Sequence, residues 1–190
     1  MTLPQPVGHA GPRRIGLIGA ECSGKTALAE ALAVHLPACV VAEELRDFVA
    51  AHGRAPHQDE QLGILTQQAA REDAAAESCT LPWLVGDPAP VMTAAYSIDY
   101  FDDHSLLAAG IRHARGYELM AWCGVDIPWL PDPGQRDGVE RRSSTHGVLT
   151  TIVVPALRAA GITVVEVDGP VHRRSAEVMA WLPEAPEAAT

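Results

Sequence analysis

The chain has 190 residues, 47% of them hydrophobic, which is enough apolar material for the core of one domain. Its formal net charge of -10 argues against nucleic acid or an anionic membrane as partner, and no apolar run approaches membrane-spanning length. The N-terminus lacks the apolar core of a signal peptide, so we expect a cytoplasmic protein, whose oligomeric state does not follow from composition.

Strand and helix signals alternate along the chain, which is typical of a parallel sheet covered by helices on both faces. The predicted strands are 14–18, 39–42, 81–87, 117–123 and 163–167. The predicted helices are 25–36, 43–52, 59–78, 93–101, 103–114, 145–160 and 172–181. We therefore expect a disordered segment over residues 1–12, one α/β domain over 13–182 and a mobile tail over 183–190.

The first predicted strand leads into a phosphate-loop pattern of Gly, four residues and Gly-Lys-Ser/Thr. Its residues are Gly19, Ala20, Glu21, Cys22, Ser23, Gly24, Lys25 and Thr26. In such a loop, backbone N–H groups surround an anion, Lys25 reaches the outer phosphates and the Thr26 hydroxyl holds Mg²⁺. Lys25 is the only lysine in the chain, and a compact ammonium fits among phosphate oxygens where a planar guanidinium would not. The alternative is a glycine-rich turn that binds nothing, but the strand, motif and helix together favour a phosphate site.

Carboxylates follow the second and third predicted strands, at the edge where a parallel sheet holds its ligand. Asp87 is placed to hold the Mg²⁺ shell as a Walker B carboxylate does, or else it caps a turn before Pro88. Glu43 can accept a proton from an attacking hydroxyl, since we expect strand two to end next to the phosphate loop. Glu43 and Glu44 are equally well explained as acidic residues favoured at a helix N-terminus.

The stretch before the sixth predicted helix is rich in Pro, Gly, Asp and Arg, and we expect residues 131–144 to form a lid. Arginines in a closing segment stabilise the charge of phosphoryl transfer, so Arg136, Arg141 and Arg142 are candidates, with at least one of the last two pointing inward. Surface arginines in a solvated loop are the alternative for Arg141 and Arg142. Trp129 either anchors the stem of the lid in the core, which we prefer, or offers a base a stacking surface.

The cysteines, Cys22, Cys39, Cys79 and Cys123, are widely spaced, which predicts neither a zinc site nor a disulfide framework. Cys22 lies in the phosphate loop, and we expect the other three to pack as small apolar residues. The histidines show no ligand spacing, so we expect no metal beyond the Mg²⁺ of the nucleotide.

Several segments carry a family resemblance. They are Glu43-Glu44-Leu45-Arg46-Asp47-Phe48, Gln68 to Asp73, Asp87, Tyr117-Glu118-Leu119 and Asp126-Ile127-Pro128-Trp129-Leu130-Pro131-Asp132-Pro133-Gly134-Gln135-Arg136-Asp137. Together they resemble the ribosylnicotinamide kinase domain of NadR-type proteins and their AAA-like P-loop relatives, over about residues 13–182. The Ile-Pro-Trp segment, followed by Asp, Gly and Arg, is the most specific part.

This resemblance implies a P-loop NTPase three-layer sandwich with a central parallel sheet, similar to nucleoside and nucleotide kinases and closed by a lid. It implies ATP and Mg²⁺ as cofactors and a ribosyl hydroxyl as acceptor. The sequence shows no adenylyltransferase domain, so we expect a stand-alone kinase. By matching position, Glu43 and Arg46 belong to the acceptor site, Asp87 to the metal side and Arg136 to the lid. The family commonly reads Asp-Thr-Asp after strand three, where this chain has Asp87-Pro88-Ala89.

Three classes of function remain open at this point. The chain is a kinase for a nucleoside-like small molecule, a P-loop ATPase or switch without an acceptor, or a scaffold that only binds nucleotide. A strand-two carboxylate and a closing lid favour the kinase. A GTPase of the Ras kind is disfavoured, because its Asn-Lys-x-Asp signature needs asparagine and the chain contains none.

Overall fold

The computed structural model of the protein describes residues 11–129 and 139–182. Its strands are β1 (Arg13–Ile18), β2 (Ala38–Ala42), β3 (Trp83–Asp87), β4 (Leu119–Cys123) and β5 (Val164–Val167). Its helices are α1 (Lys25–His35), α2 (Glu44–His52), α3 (Gln61–Ser78), α4 (Val91–Phe101), α5 (Leu107–Ala114), α6 (Val139–Val148), α7 (Val154–Ala159) and α8 (Val171–Trp181). A 3-10 turn (Gln58–Glu60) precedes α3, and a π-helical segment (Leu149–Val153) joins α6 to α7.

Each predicted strand and helix is present, and most differ from the prediction only at their ends. Apart from Gly11 and Pro12, the predicted disordered segment 1–12 lies outside the described residues, as does the predicted tail 183–190. Within the part of the chain that the structure describes, no helix is both long and apolar enough to cross a membrane.

The five strands form one parallel sheet in the order β2-β3-β1-β4-β5. Because β3 lies between β1 and β2, strand two is not the neighbour of the strand that carries the phosphate loop. Glu43, directly after strand two, is nevertheless linked through Arg46 to Thr26 of that loop. The last residue of β2, Ala42, is paired with Asp87 of β3. The order of strands along the chain does not give their order in space, and here the third strand separates the first two.

Helices cover both faces of the sheet, as the alternation of β1 side chains shows. Leu17 packs on one face with Leu28 of α1 and Val178 of α8, whereas its neighbour Ile18 packs on the other with Met92 of α4. Burying each such side chain contributes about 1.5–3 kcal/mol. This three-layer arrangement around a parallel sheet confirms the predicted fold class.

Helix α6 begins at Val139, earlier than the predicted start at Thr145. Its polar residues have partners on α4. The Asp99 carboxylate accepts hydrogen bonds from the hydroxyls of Ser144 and Thr145, the second at 2.6 Å, and lies 3.5 Å from the guanidinium of Arg141. The composition of this polar stretch predicts a loop, but these tertiary contacts stabilise it as a helix.

Cys39 of β2 and Cys79, directly after α3, form a disulfide with Cα atoms 6.3 Å apart. The prediction that these cysteines pack as isolated apolar residues is therefore wrong. The two cysteines are 40 positions apart in the sequence, and only the packing of α3 along β2 brings them together. Cys123 is buried at the end of β4, which confirms its predicted packing.

Glu72 of α3 is a fully buried carboxyl against β3. The Tyr117 hydroxyl donates a hydrogen bond to it, and the Gln68 side-chain amide lies 3.5 Å from it. A Cβ atom at Gly86 would collide with this carboxyl, so a larger residue there would displace it. Burial raises the pKa of Glu72 to about 7, against the opposing effect of the Tyr117 hydrogen bond.

We expect Glu72→Gln to abolish one source of pH-dependent stability. In the unfolded chain the carboxyl ionises near pH 4.5, whereas in the folded chain it keeps its proton up to about pH 7. The folded state therefore binds the proton more tightly, and its free energy of unfolding should decline between these pH values by on the order of 3 kcal/mol.

Urea unfolding at a series of pH values measures this decline, which Glu72→Gln should lack because glutamine stays neutral. Glu77→Gln, an exposed site on the same helix, is the matched control and should follow the wild type. The same pH dependence in Glu72→Gln and in the wild type would contradict the assignment.

Candidate active site

The phosphate-loop sequence joins β1 to α1, as predicted. Its backbone enters the left-handed region at Cys22 (φ 52°) and at Gly24 (φ 84°), directly before the helix. The first N–H groups of a helix have no acceptor within it, so the N-terminus of α1 offers donors to an anion. Residues 21–27 line a cavity of about 560 Å³, together with residues of α2, α4 and the loop after β4.

Lys25, the only lysine in the chain, lies half-buried at the wall of this cavity. Its ammonium donates hydrogen bonds to the carbonyl oxygens of Gly19 at 2.8 Å and Ala20 at 2.9 Å. Both acceptors belong to the same loop, so the positive charge is held directly over the phosphate-loop backbone.

Glu43, Arg46 and Thr26 are connected by hydrogen bonds at the cavity wall. The Arg46 guanidinium donates to the Glu43 carboxylate at 3.1 Å and to the Thr26 hydroxyl at 3.3 Å. Glu43 occupies the N-cap position of α2, yet its side chain makes no capping hydrogen bond. The helix-terminus explanation therefore does not account for where this carboxylate points.

The environment of Glu43 changes its acidity. Burial raises the pKa of Glu43 above its ordinary value, while the positive charges of Lys25 and Arg46 oppose the rise and Asp87 adds to it. A carboxylate with a raised pKa is a stronger proton acceptor, and it stands where the cavity meets the phosphate loop.

The neighbouring Glu44 points away from the cavity. Its carboxylate pairs with the Arg71 guanidinium of α3 at 2.5 Å, and its backbone N–H donates to the Gln68 side chain at 2.7 Å. The two adjacent glutamates, which the sequence leaves equivalent, thus face different surroundings.

Asp87 ends β3 and is only 7% exposed. Burial raises the pKa of the Cys123 thiol to about 11. The charge of Asp87 adds to this rise, as it does to the rise in the pKa of Glu43. After the cis bond to Pro88, the N–H of Ala89 donates to the Leu17 carbonyl of β1 at 3.0 Å.

The chemistry of the donor groups fits Mg²⁺. The Thr26 hydroxyl and the Asp87 carboxylate supply oxygen atoms, which this hard cation prefers, and Mg²⁺ ordinarily completes its shell with phosphates and water. Within residues 11–129 and 139–182, no cluster of His, Cys, Asp and Glu is arranged to bind a metal by itself.

The predicted lid arginines are distributed differently from the expectation. Arg136 lies outside the described residues, with most of the predicted lid, whereas Arg141 and Arg142 lie in α6 rather than in a loop. Arg142 is buried and donates to the Ile127 carbonyl at 2.8 Å, and Arg141 stacks over the Tyr100 ring at 4.1 Å. Ile127 and Tyr100 line the cavity, so each arginine of α6 supports a cavity residue without lining the cavity itself.

Sequence reasoning missed part of the cavity wall. Tyr96 and Tyr100 lie one turn apart on α4, and Arg54 reaches the cavity from the turn after α2 while paired with Glu60 at 2.7 Å. Burial, then the charge of Glu43, raises the pKa of Tyr96 well above its ordinary value. The spacing of the two tyrosines was the available signal, but only the packed structure places α4 beside the phosphate loop.

Arg174 of α8 was also missed, and it is only 2% exposed. Its guanidinium donates to the Ser23 carbonyl of the phosphate loop at 2.5 Å, to the Gly169 carbonyl at 2.8 Å and to the Asp126 carboxylate at 2.5 Å. Asp126 also accepts from the Gly169 N–H at 2.7 Å. One buried side chain thus joins the phosphate loop to the loops that follow β4 and β5.

A family model described as AAA domain matches residues 14–174, which is most of the chain. The chain belongs to this family. A search of the curated proteins found no match.

Solved structures share the fold of this AAA domain at low sequence identity. NadR protein in complex with NAD and AMP-PNP is 18% identical with a TM-score of 0.70, the alignment covering 94% of this chain and 52% of NadR. The AAA domain therefore spans about half the length of NadR. Thymidylate kinase from Candida albicans is 12% identical with a TM-score of 0.62 and coverage of 90% of each chain. Deoxyadenosine kinase from M. mycoides is 10% identical with a TM-score of 0.60, covering 88% of this chain and 97% of that one.

We expect Arg174→Met to destabilise the AAA domain by about 2–4 kcal/mol, because it leaves the Ser23 and Gly169 carbonyls without their donor. The adjacent Arg173→Met is the matched control. Its side chain is 62% exposed and pairs only with Glu177 among the described residues, so its effect should stay within about 0.5 kcal/mol. Urea unfolding compares the two, and equal stabilities would contradict the structural role of Arg174.

Proposed function

We propose that this AAA domain is a cytoplasmic ATP-dependent kinase, which transfers the γ-phosphoryl group of ATP to a hydroxyl of a nucleoside-like acceptor, with ribosylnicotinamide as the preferred acceptor. The observation that carries the proposal is the position of Glu43. Its carboxylate is linked through Arg46 to Thr26 of the phosphate loop, inside a cavity that extends beyond the loop to α2 and α4.

The nucleotide side is assigned to the phosphate loop. The donors at the N-terminus of α1 and the Lys25 ammonium suit the phosphates of ATP, and Lys25 would redirect its hydrogen bonds from loop carbonyls to phosphate oxygens. Thr26 and Asp87 would hold Mg²⁺, which neutralises charge on the phosphates when bound. Arg136, which lies outside the described residues, stays a prediction as the lid arginine that stabilises the transferring group.

The acceptor side is assigned to the cavity wall opposite the loop. Tyr96, Tyr100, Val49 and Pro56 line the cavity with flat and apolar surface for a ring system. Glu43, on the same cavity, would meet the primary hydroxyl of the acceptor at the phosphate. Glu43 would align this hydroxyl and accept its proton at a carboxylate oxygen as the new P–O bond forms and the bond to the leaving ADP breaks. Arg46 would orient Glu43 and contact the acceptor.

Ribosylnicotinamide is proposed as acceptor on two grounds. The segments of the sequence that carry the family resemblance are those of the ribosylnicotinamide kinase domain of NadR-type proteins. NadR has also been solved in complex with NR, with a TM-score of 0.68 at 17% identity, the alignment covering 94% of this chain and 53% of that one.

The deciding experiment measures ADP release from ATP and Mg²⁺ against a panel of nucleosides, with the phosphorylated product identified by mass spectrometry. We expect ADP and phosphorylated ribosylnicotinamide in equal amounts. Phosphorylation of another nucleoside would keep the kinase and replace the acceptor. ADP release that no nucleoside stimulates would indicate an ATPase or switch, and ATP binding without turnover would indicate a scaffold.

We expect Lys25→Ala to abolish ATP binding while the protein stays folded, because the Lys25 ammonium donates hydrogen bonds to loop carbonyls and lies outside the apolar core. Calorimetric titration with ATP measures the affinity, and circular dichroism checks the fold. Lys25→Arg keeps the charge on a planar group and should also bind ATP weakly. Unchanged affinity in a folded Lys25→Ala would remove the basis of the proposal.

We expect Glu43→Gln to lower kcat by on the order of 10²–10⁴ with ATP affinity retained, because glutamine keeps the size of the side chain but cannot take the proton. Glu44→Gln is the matched control and should retain activity, since the Glu44 carboxylate pairs with Arg71.

The pH profile gives a second measurement of Glu43. The raised pKa of Glu43 means that wild-type kcat should fall as the pH drops through this value, where the base becomes protonated. Glu43→Gln should lack this acidic limb. A Glu43→Gln variant that turns over acceptor at the wild-type rate would refute the base assignment.

A further inference from the structure

Gln68 of α3 is a buried amide whose polar atoms all have partners. It is 3% exposed. Its carbonyl oxygen accepts from the Glu44 backbone N–H at 2.7 Å, and its NH₂ group donates to the Pro88 carbonyl at 3.3 Å and approaches the Glu72 carboxyl at 3.5 Å. The opposite orientation of the amide would place like groups against each other at these partners, so the surroundings select one orientation.

The two backbone partners of Gln68 follow the ends of neighbouring strands. The last ladder pair between β2 and β3 is Ala42 with Asp87. Beyond this pair the segments that follow the two strands separate. Glu43 and Glu44 lead into α2, and Pro88 leads towards α4. Gln68 bonds the Glu44 N–H in the segment after β2 and the Pro88 carbonyl in the segment after β3. Its side chain therefore connects the two segments where the hydrogen bonds between the strands stop.

This connection extends to the strand that carries the phosphate loop. Ala89, which follows Pro88, donates its N–H to the Leu17 carbonyl of β1 at 3.0 Å. A path of hydrogen bonds therefore runs from β1 through the Pro88–Ala89 segment and Gln68 to the residue next to Glu43. Since β3 separates β2 from β1, no direct pairing of the two strands holds Glu43 in place.

We propose that Gln68 is a positioning residue, which holds Glu43 at the phosphate loop by bonding the Glu44 N–H and the Pro88 carbonyl. The inference rests on the proposed role of Glu43 in phosphoryl transfer. Gln68 is not among the residues that line the cavity, so it acts through Glu43 and touches neither ATP nor the acceptor.

The test compares Gln68→Met, which removes both hydrogen bonds at similar size, with Gln68→Glu, which keeps an acceptor for Glu44 but loses the donor to Pro88. Gln67→Met, an exposed site next in the chain, is the matched control. We expect both Gln68 variants to lower kcat by about 10–10²-fold, the cost of a small displacement of a catalytic group, with the KM for ATP within about threefold of wild type. Gln67→Met should match the wild type.

A double-mutant cycle separates positioning from a purely structural role. In the Glu43→Gln background, Gln68→Met should cost little further kcat, because the group that it positions can no longer act. A full additional loss in that background would overturn the proposal, as would wild-type kcat in folded Gln68→Met or a rise in the KM for ATP equal to the fall in kcat.

Hydrogen exchange tests the positioning itself, independently of transfer. We expect the Glu44 amide, whose acceptor is the Gln68 carbonyl oxygen, to exchange at least tenfold faster in Gln68→Met than in Gln67→Met, while the phosphate-loop amides stay unchanged. If the wild type transfers phosphate to no acceptor, the proposed function fails by that result alone, and the exchange data still decide whether Gln68 holds the start of α2. Unchanged exchange of the Glu44 amide in folded Gln68→Met would overturn the inference, and Gln68→Leu, which also lacks the acceptor, serves if Gln68→Met does not fold.

Discussion

Where the parallel strands end, the backbone of each following loop loses its ladder partners, and buried side chains from distant helices replace them. Gln68 of α3 supplies hydrogen-bond partners to the segments that follow β2 and β3. Arg174 of α8 does so for the loops after β1 and β5, and Lys25 bonds the two carbonyls at the start of its own loop. The shape of the candidate site therefore depends on a few polar side chains that the sheet itself does not supply.

Local charge, rather than the net charge of -10, decides what the cavity can accept. Lys25 and Arg46 face the phosphate loop, and the donors at the start of α1 add to their field. Glu43 lies among these positive groups, and the charges of Lys25 and Arg46 lower its pKa. Burial has the larger effect, so the pKa of Glu43 is raised. This balance leaves a carboxyl group of raised pKa beside the phosphate loop, while Lys25 and Arg46 keep the loop positively charged.

The sequence predicts the layers of the fold well, because alternation of strand and helix and the phosphate-loop motif are local signals. The position of Asp87 at a strand end also follows from local pattern. Contacts between distant segments could not be predicted. The insertion of β3 between β1 and β2, the pairing of Cys39 with Cys79 and the partners of Arg174 all depend on packing. The start of α6 was predicted too late in the chain for the same reason, since Asp99 of α4 stabilises the polar residues that precede the predicted start.

The disulfide between Cys39 and Cys79 encloses α2, the turn at residues 53–56 and α3 in a covalent ring. Cys39 and Cys79 are therefore linked twice, once by the peptide chain between them and once by the disulfide. A single protease cut at the exposed Gly53 or Arg54 would leave fragments that still migrate as one species on a non-reducing gel and separate once a thiol is added. The edge strand before Glu43 and the helix that carries Gln68 would thus stay attached to each other even in a nicked molecule.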